Sequence, residues 1–405
     1  MTRSHPRRLL FAWSLGTAAL AACSQTRDGG SPVPATVQVS PGSRAFTALL
    51  QTQQFTATVR DAQGNTIAGV GVTWSSTNGA IVTVDGNGLA TARALGGAQV
   101  RATAGRAVGS AFLTVGTTGA YAVEVRFLTA MTDSQQLAFT NAAGRWQTII
   151  QGDVPNIAVD TFDLGAGDCG SNSPPVNETV DDVIIFATIE AIDGPGNVLG
   201  QAGPCLIRVT SSLPIVGQMR FDIADIAALE AAGQLQDVIL HEMGHVLGYG
   251  VLWDASFLGL LADPSLSGGT DPHFTGAQAI QAFDSIGGTA YVAGAKVPVE
   301  NTCGGATPPC SGTSDSHWRE SVFDRELMTG FLDGGVFNPL SVVSVASMQD
   351  LGYTVNRAAS DPFSYPLAAV RAAVAGPALE LRDDIAHGPI RMLDAQGRVT
   401  GILWR

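Results

Sequence analysis

The five residues His241-Glu242-Met243-Gly244-His245 carry the clearest chemistry in this chain. Two histidines four residues apart on a helix point the same way, one turn apart, so that both imidazoles can bind one tetrahedral zinc ion. Glu242 lies between them and can reach a water bound to that metal, where it can act as a general base. The motif therefore predicts one catalytic Zn2+ ion.

An amphipathic helix must carry this motif. Both histidines then lie on one face of the helix, in its C-terminal half. Gly248 follows three residues after His245, where a glycine in the left-handed conformation can end a helix. Apolar residues recur at helical spacing through residues 234–248, at Leu235, Val238, Ile239, Met243 and Val246.

The motif supplies two ligands, whereas a catalytic zinc site takes three protein ligands and keeps a fourth position open. The third ligand must therefore lie elsewhere in the chain. Beyond residues 1–22, the remaining histidines are His273, His317 and His387. Glu320 is a carboxylate alternative, and the spacing alone leaves these candidates open.

The residues after the motif carry a family resemblance. The motif and Gly248 open the metzincin signature HExxHxxGxxH, but Val251 stands where the third histidine is expected. His317 lies in the run Asp-Ser-His-Trp-Arg-Glu, and Met328 follows in the run Leu-Met-Thr-Gly. This arrangement resembles the leishmanolysin family, in which an insertion separates the glycine from the third histidine. The resemblance covers residues 121–356.

This resemblance implies an α+β fold of metzincin type, with a twisted sheet, an active-site helix and a loop-rich C-terminal subdomain. It implies that His317 is the third zinc ligand and that Met328 lies in a turn beneath the metal, as an apolar floor. It leaves His273 at a variable position and His387 outside the recognisable domain. The implied function is a zinc endopeptidase that cleaves a protein or peptide substrate through metal-activated water, with Glu242 as the general base.

The acidic residues near His317 are expected to have supporting roles. Glu320 is expected to pair with an arginine such as Arg319 or Arg325. Asp315 and Glu326 are candidates to accept hydrogen bonds from the imidazole N–H groups. An extended substrate is expected to pair with a sheet edge above the cleft, although the sequence does not identify that strand.

Three rival functions remain. A noncatalytic surface adhesin could keep the peptidase fold, but it would not need Glu242. A structural zinc site closes its fourth coordination position, and no fourth ligand lies near the motif in the sequence. A zinc hydrolase acting on cell-wall material is compatible with the same fold, because fold does not determine the substrate.

Residues 34–116 have a different pattern. Short alternating strands separated by turns recur around one tryptophan, Trp74, which predicts an all-β immunoglobulin-like sandwich. Residues 74–78 and 88–92 resemble group 2 bacterial Ig-like domains, and this resemblance implies a spacer or adhesive module. Residues 34–116 contain no histidine and no cysteine, which argues against catalysis there.

The N-terminus has the features of a lipoprotein signal peptide. Arginines precede an apolar run over residues 9–22 that is too short to span a membrane. The run ends in Leu-Ala-Ala before Cys23, which resembles a bacterial lipobox whose cysteine receives lipid; an ordinary signal peptide with an incidental cysteine is the alternative. We predict removal of residues 1–22, a tether at 23–33, and export to the cell envelope, in the outer membrane or at the cell surface, with a lipid anchor.

Four further cysteines suit an exported chain with two disulfides. Three pairings are possible, and we favour Cys169–Cys205 and Cys303–Cys310 because each pair lies within one region rich in glycine and proline. A four-cysteine zinc site is disfavoured because the sequence has no CxxC spacing.

The formal net charge of −13 opposes nonspecific binding of nucleic acid.

The remaining boundaries follow from these patterns. Residues 120–356 are predicted to form the peptidase domain. Residues 357–405 form a C-terminal extension of unknown role, in which 367–375 could be a short helix and 399–404 a strand. A propeptide cysteine that could block the zinc is not evident, because Cys23 is assigned to lipid.

Overall fold

The structure is a computed structural model that describes residues 32–46, 48–116, 120–301, 313–365 and 378–404. The predicted signal peptide with Cys23, the Cys303–Cys310 pair and the helix predicted at 367–375 lie outside these residues. Within the described ranges, no helix is long and apolar enough to cross a membrane.

The N-terminal region is built from strands, as its sequence pattern predicts. A four-stranded sheet has the order β2-β9-β8-β5, a three-stranded sheet has the order β3-β7-β6, and β1 pairs with β4. Buried apolar side chains such as Phe46, Phe55 and Val100 form one core between them. The strands are β1 Thr36–Ser40, β2 Ser43–Phe46, β3 Thr52–Gln54, β4 Thr56–Arg60, β5 Thr73–Ser76, β6 Val82–Val84, β7 Leu89–Ala92, β8 Gly96–Ala104 and β9 Ala107–Val115.

The rest of the chain mixes strands and helices, and together with the N-terminal region it fits the predicted α+β class. The helices are α1 Asp133–Ile149, α2 Ile223–Ala232, α3 Leu235–Val246, α4 Ala277–Ser285, α5 Thr289–Val292, α6 Glu320–Phe323 and α7 Val342–Leu351. The strands are β10 Val123–Phe127, β11 Ile157–Val159, β12 Glu178–Val180, β13 Val183–Glu190, β14 Gly200–Arg208, β15 Pro214–Asp222, β16 Leu261–Ala262, β17 His273–Phe274, β18 Val297–Pro298, β19 Phe331–Leu332, β20 Leu379–Glu380, β21 Pro389–Leu393 and β22 Val399–Trp404.

One mixed sheet of six strands supports the site, in the order β10-β13-β15-β14-β21-β22. β10, β13 and β15 run parallel to one another, whereas β14 runs antiparallel to β15. Every residue of β14 is buried, as expected for a strand covered on both faces. The runs 123–127 and 183–190 are rich in valine, isoleucine and phenylalanine, so the sequence predicts strands there as well as at 399–404. These three strands match β10, β13 and β22.

Two helices pack on this sheet around a shared core. α1 begins with a capping box, in which Thr132 accepts a hydrogen bond from the Gln135 N–H and Gln135 reaches back to the Thr132 N–H. α1 contacts β10, and α3 contacts β14 and β15. The Trp146 indole N–H donates to the Leu240 carbonyl at 3.0 Å, so α1 fixes the position of the motif helix.

The N-terminal region packs directly on α1, through β8 and β9. Phe112 of β9 belongs to the same buried core as Phe127 and Phe139, with its ring centroid 5.9 Å from that of Phe127. The Ser110 hydroxyl donates to the Asp133 carboxylate at 2.8 Å. The two regions therefore share an apolar contact as well as polar ones.

Candidate metal centre

The motif lies on α3, where the sequence pattern places it. The apolar face of this helix is buried against the core, so that its inward-facing polar side chains are also excluded from water. His241, Glu242 and His245 are each fully buried. Gly248 ends the turn after the helix with a φ of 104°, a left-handed conformation that glycine adopts without strain. That turn brings the Tyr249 carbonyl back to His245.

Three imidazoles meet at one point. The Nε2 atoms of His241 and His245 are 2.9 Å apart, and the Nε2 of His317 lies 3.1 Å from each of them. His317 comes from a loop 72 residues beyond His245, and it is buried as completely as the helix histidines. The structure thus brings together the three residues that the sequence singled out as zinc ligands.

Backbone carbonyls hold the three rings in place through their other nitrogen. The Nδ1–H of His241 donates to the Leu327 carbonyl at 2.6 Å, and that of His245 donates to the Tyr249 carbonyl at 3.0 Å. The Nδ1–H of His317 donates to the Thr313 carbonyl at 2.9 Å. Because a carbonyl can only accept, each Nδ1 carries the proton and each Nε2 presents a lone pair. This is the tautomer that a metal requires.

The geometry fits a zinc ion. Ligand atoms of a tetrahedral zinc site with bonds of about 2.0–2.1 Å are roughly 3.3 Å apart, close to the separations of the three Nε2 atoms. Three lone pairs facing one another repel unless a cation lies among them. Burial lowers the pKa of His241 and lowers that of His245 to about 4, so the neutral, metal-binding form is favoured.

A fourth potential ligand, Asp384, lies at the same point. Its Oδ2 atom is 2.9 Å from the Nε2 of His317, 3.3 Å from that of His241 and 3.6 Å from that of His245. Asp384 is buried, and it comes from the C-terminal extension of unknown role. We expected no fourth ligand near the motif. Asp384 is far from the motif in the sequence but lies next to the histidines in the folded chain, so this expectation is wrong.

The predicted general base, Glu242, is also buried beside this cluster. Neither of its carboxylate oxygens has a hydrogen-bond partner among the described residues. Burial, and then the charge of Asp384, raises the pKa of Glu242 well above its ordinary value. A carboxylate without partners in such a place can hold and release a proton, which suits a general base.

Met328 packs against α3 at Gly244, between the two motif histidines in sequence. It is fully buried, and a Cβ added at Gly244 of α3 would come within 2.8 Å of its Cε and 3.3 Å of its Sδ. Only a glycine at this position lets the helix lie so close to the methionine. The Tyr249 hydroxyl donates to the Met328 carbonyl at 3.3 Å, which ties this turn to the end of the helix region.

The two acids expected to face the imidazoles do not do so. Glu326 accepts hydrogen bonds from the Met328 N–H at 2.6 Å, the Ser341 N–H at 2.9 Å and the Ser344 hydroxyl at 2.5 Å. It therefore fixes the methionine turn. Asp315 accepts from two backbone N–H groups, those of residues 265 and 266, and fixes a loop.

The alternative third ligands lie outside the cluster. His273 donates to the Asp271 carbonyl, and His387 is exposed and contacts the Asp383 carboxylate. Glu320 does not reach the metal centre, and of the two arginines expected to pair with it, Arg319 contacts the Asp271 carboxylate at 3.0 Å. One Glu320 oxygen is buried without a hydrogen-bond partner among the described residues.

The Cys169–Cys205 disulfide is present, as predicted, and it ties a loop to β14.

The residue that sequence reasoning missed is Asp384. It is 67 residues beyond His317, and no spacing or motif connects the two. Only the packing of the C-terminal extension on the sheet brings it to the histidines.

Comparisons with known proteins agree with two parts of this description. The family model for the bacterial Ig-like domain (group 2) matches residues 35–115. The family model for leishmanolysin matches residues 163–263, a range that includes the whole of α3. No curated protein matches the chain.

Some solved structures are similar to short parts of the chain. Domains 4 and 5 of the S-layer protein SbsC match at 22% identity, covering 21% of this chain and 54% of that chain, with a TM-score of 0.19. The adhesin InvE of Yersinia pseudotuberculosis matches at 22% identity, covering 20% and 25%, with a TM-score of 0.14. The chain thus spans about half or less of the solved chains it matches. The two family-model matches alone support an Ig-like domain followed by a metallopeptidase region.

Proposed function

We propose that this protein is a zinc-dependent endopeptidase of metzincin type, similar to leishmanolysin. The observation that carries the proposal is the convergence of three buried Nε2 atoms, from His241, His245 and His317. The carboxylate of Glu242 is buried next to them and has no hydrogen-bond partner among the described residues. The leishmanolysin match ends at residue 263. The placement of His317 is therefore independent support for the proposal.

The three histidines would hold the metal, and Met328 would form an apolar floor beneath it. When bound, a zinc ion supplies a Lewis acid that polarises the scissile carbonyl and lowers the pKa of water. The carbonyl partners of the three Nδ1–H groups keep the rings oriented while this happens.

Glu242 would carry the proton during hydrolysis. It accepts a proton from the attacking water and donates that proton to the leaving amine, which needs both protonation states to be accessible. Burial raises its pKa, so the carboxylate is a better base than an exposed glutamate. The surrounding core excludes bulk water from this transfer.

The cellular setting is part of the proposal. Residues 1–33 support export and attachment to the envelope membrane through lipid on Cys23, and the substrate would be a protein or peptide outside the cytoplasm. The N-terminal Ig-like region would act as a spacer or adhesive module. The acidic net charge of −13 argues against a nucleic-acid partner.

A second function is favoured by one observation. The Asp384 carboxylate lies where a fourth ligand would, and a site with four protein ligands is typical of structural zinc. On this alternative the protein is a noncatalytic envelope protein, such as an adhesin, whose zinc only stabilises the fold. A zinc hydrolase could also act on cell-wall material with the same residues. Comparing hydrolysis of peptides with hydrolysis of cell-wall material distinguishes this function from that of a peptidase.

The proposal is tested on the chain from residue 24, with hydrolysis of a peptide library and zinc content measured together. Because the Asp384 carboxylate lies at the position of a fourth metal ligand, the assay is run on the natural sequence and on Asp384→Ala. We expect about one zinc per chain, and hydrolysis that a chelator abolishes and zinc restores. His317→Ala should lose zinc, whereas His387→Ala, at an exposed histidine, should keep it. Full zinc with no hydrolysis in either chain would contradict the proposal, and full zinc in His317→Ala would contradict the ligand assignment.

A further inference from the structure

We propose that the C-terminal segment 381–388 holds this site in a latent state, with Asp384 as a fourth metal ligand in the position that a catalytic water needs. The inference rests on the proposed function. It assigns a role to part of the extension that the sequence left without one.

The first support is the position of the carboxylate. One oxygen, Oδ2, lies 2.9 to 3.6 Å from all three Nε2 atoms, which are themselves 2.9 to 3.1 Å apart. The four atoms therefore surround one point, as the ligands of a four-coordinate zinc do. The other oxygen, Oδ1, is buried without a hydrogen-bond partner among the described residues. Nothing in that part of the chain other than the histidine cluster explains why this charge is buried.

The second support is the way the backbone of the segment pairs with the sheet. The Ala202 N–H of β14 donates to the Asp384 carbonyl at 2.7 Å, and the Ala386 N–H donates to the Ala202 carbonyl at 2.9 Å. An extended peptide binds a sheet edge through this kind of main-chain pairing. β14 also contacts α3. The segment thus occupies the side of β14 beside the metal centre, which would be a free sheet edge without the C-terminal residues and where a substrate would be expected.

The third support is that the segment is anchored on both sides of Asp384 without using its side chain. Before it, β20 pairs with β19 and the Leu381 N–H donates to the Gly330 carbonyl at 2.9 Å. After it, Ile385 is buried and β21 joins the main sheet. Gln201 also donates its side-chain N–H to the Asp383 carbonyl at 2.7 Å. Removing only the Asp384 carboxylate should therefore leave the fold intact.

Latency follows from the requirements of catalysis. A hydrolytic zinc site needs one position open to water or substrate, and a fourth protein ligand closes it. The same segment also covers the side of β14 at Ala202, where a substrate strand could pair. Substrate must displace both the carboxylate and the main-chain pairing. Only molecules in which the segment is released can bind substrate, so the apparent affinity is the intrinsic affinity multiplied by the fraction of such molecules.

The test uses the chain from residue 24 loaded with Co2+ in place of zinc, so that the visible spectrum reports on the metal. Acetohydroxamate, a small metal-binding probe, is titrated into the natural sequence, Asp384→Ala and Asp384→Asn, and peptide hydrolysis is measured in parallel with zinc. Asp383→Asn is the matched control, because its carboxylate contacts His387 and the Gln201 side chain rather than the metal cluster. We expect acetohydroxamate to bind Asp384→Ala at least about tenfold more tightly than the natural sequence. Hydrolysis should gain less, because segment 381–388 still pairs with β14 and substrate must still displace it. Asp383→Asn should behave like the natural sequence.

Two results would overturn the inference. The first is acetohydroxamate binding to the natural sequence as tightly as to Asp384→Ala. The second is loss of the metal from both Asp384 variants, because Asp384 would then belong to a closed structural site. A third outcome separates the two proposals. If the probe binds Asp384→Ala tightly but no library peptide is cleaved, the inference about the fourth position stands and the peptidase proposal fails.

Discussion

At the scale of single residues, the candidate ligands are oriented by the main chain. Each imidazole donates its Nδ1–H to a backbone carbonyl at 2.6 to 3.0 Å, in turns that follow α3, precede His317 or contain Met328. The buried acid Glu326 accepts a hydrogen bond from the Met328 N–H in the methionine turn and contacts none of the three rings. The geometry of the site therefore depends on the shape of three turns.

The pH dependence of stability should reveal the titration of a half-buried acid, Glu320. Burial raises its pKa from an ordinary value of 4.5 to about 8. The folded chain therefore holds this proton more tightly than the unfolded chain, so the contribution of Glu320 to the free energy of unfolding falls as pH rises from about 4.5 to about 8. Glu320→Gln resembles the protonated form and should lack this fall.

The measurement is denaturant unfolding of metal-free protein across that pH range. At pH 8, Glu320→Gln should be more stable than the natural sequence by on the order of 2 kcal/mol, with little difference at pH 4. Arg319→Lys, beside it, serves as the control for a local change that leaves the glutamate in place. Parallel pH curves for Glu320→Gln and the natural sequence would show that Glu320 does not titrate in this way.

At the scale of elements, the close approach of α3 to Met328 depends on Gly244. Alanine forms helices better than glycine by about 1 kcal/mol. A Cβ at residue 244 would nevertheless lie 2.8 Å from the Met328 Cε and 3.1 Å from the Trp146 ring. We expect Gly244→Ala to lower the free energy of unfolding by about 1–3 kcal/mol, because the methionine turn must move.

Gly144 in α1 is the matched control. Its added Cβ would meet only the backbone of Gly97, at 3.4 Å, an ordinary contact. Gly144→Ala should therefore leave stability unchanged or raise it by up to about 1 kcal/mol. Equal effects of the two substitutions in thermal or denaturant unfolding would contradict the close packing of α3 on Met328.

These elements also show what the sequence can predict. The spacing of apolar residues predicts α3, and short runs of β-branched and aromatic residues predict β10, β13 and β22. Both signals are local in the sequence. The part played by segment 381–388 could not be predicted. Its pairing with Ala202 joins residues more than 180 apart through main-chain atoms, which leave no side-chain pattern. The ligand position of Asp384 depends entirely on that pairing.

At the scale of the whole molecule, the Ig-like region contributes to the core of the region that carries the candidate metal centre. Phe112 lies on β9, is 1% exposed and packs against Phe127. Phe112→Ala should lower the free energy of unfolding by about 3–5 kcal/mol, as a cavity in a buried aromatic cluster does. The expected readout is a lower melting temperature of the full chain.

Val108 provides the control on the same strand, because it is 45% exposed. Val108→Ala should change the melting temperature little. If Phe112→Ala also has little effect, the two regions do not share a core in solution, and the Ig-like region is a separate module on a linker.

The central claim is that three histidines hold a zinc ion on which Glu242 acts as the base. The most direct measurement compares the rate of peptide hydrolysis by Asp384→Ala with that of the double variant Asp384→Ala/Glu242→Ala, at equal zinc content. We expect both chains to bind one zinc and only the first to cleave peptides, with the rate of the double variant lower by at least about a hundredfold. Hydrolysis that survives the loss of Glu242 would contradict the account.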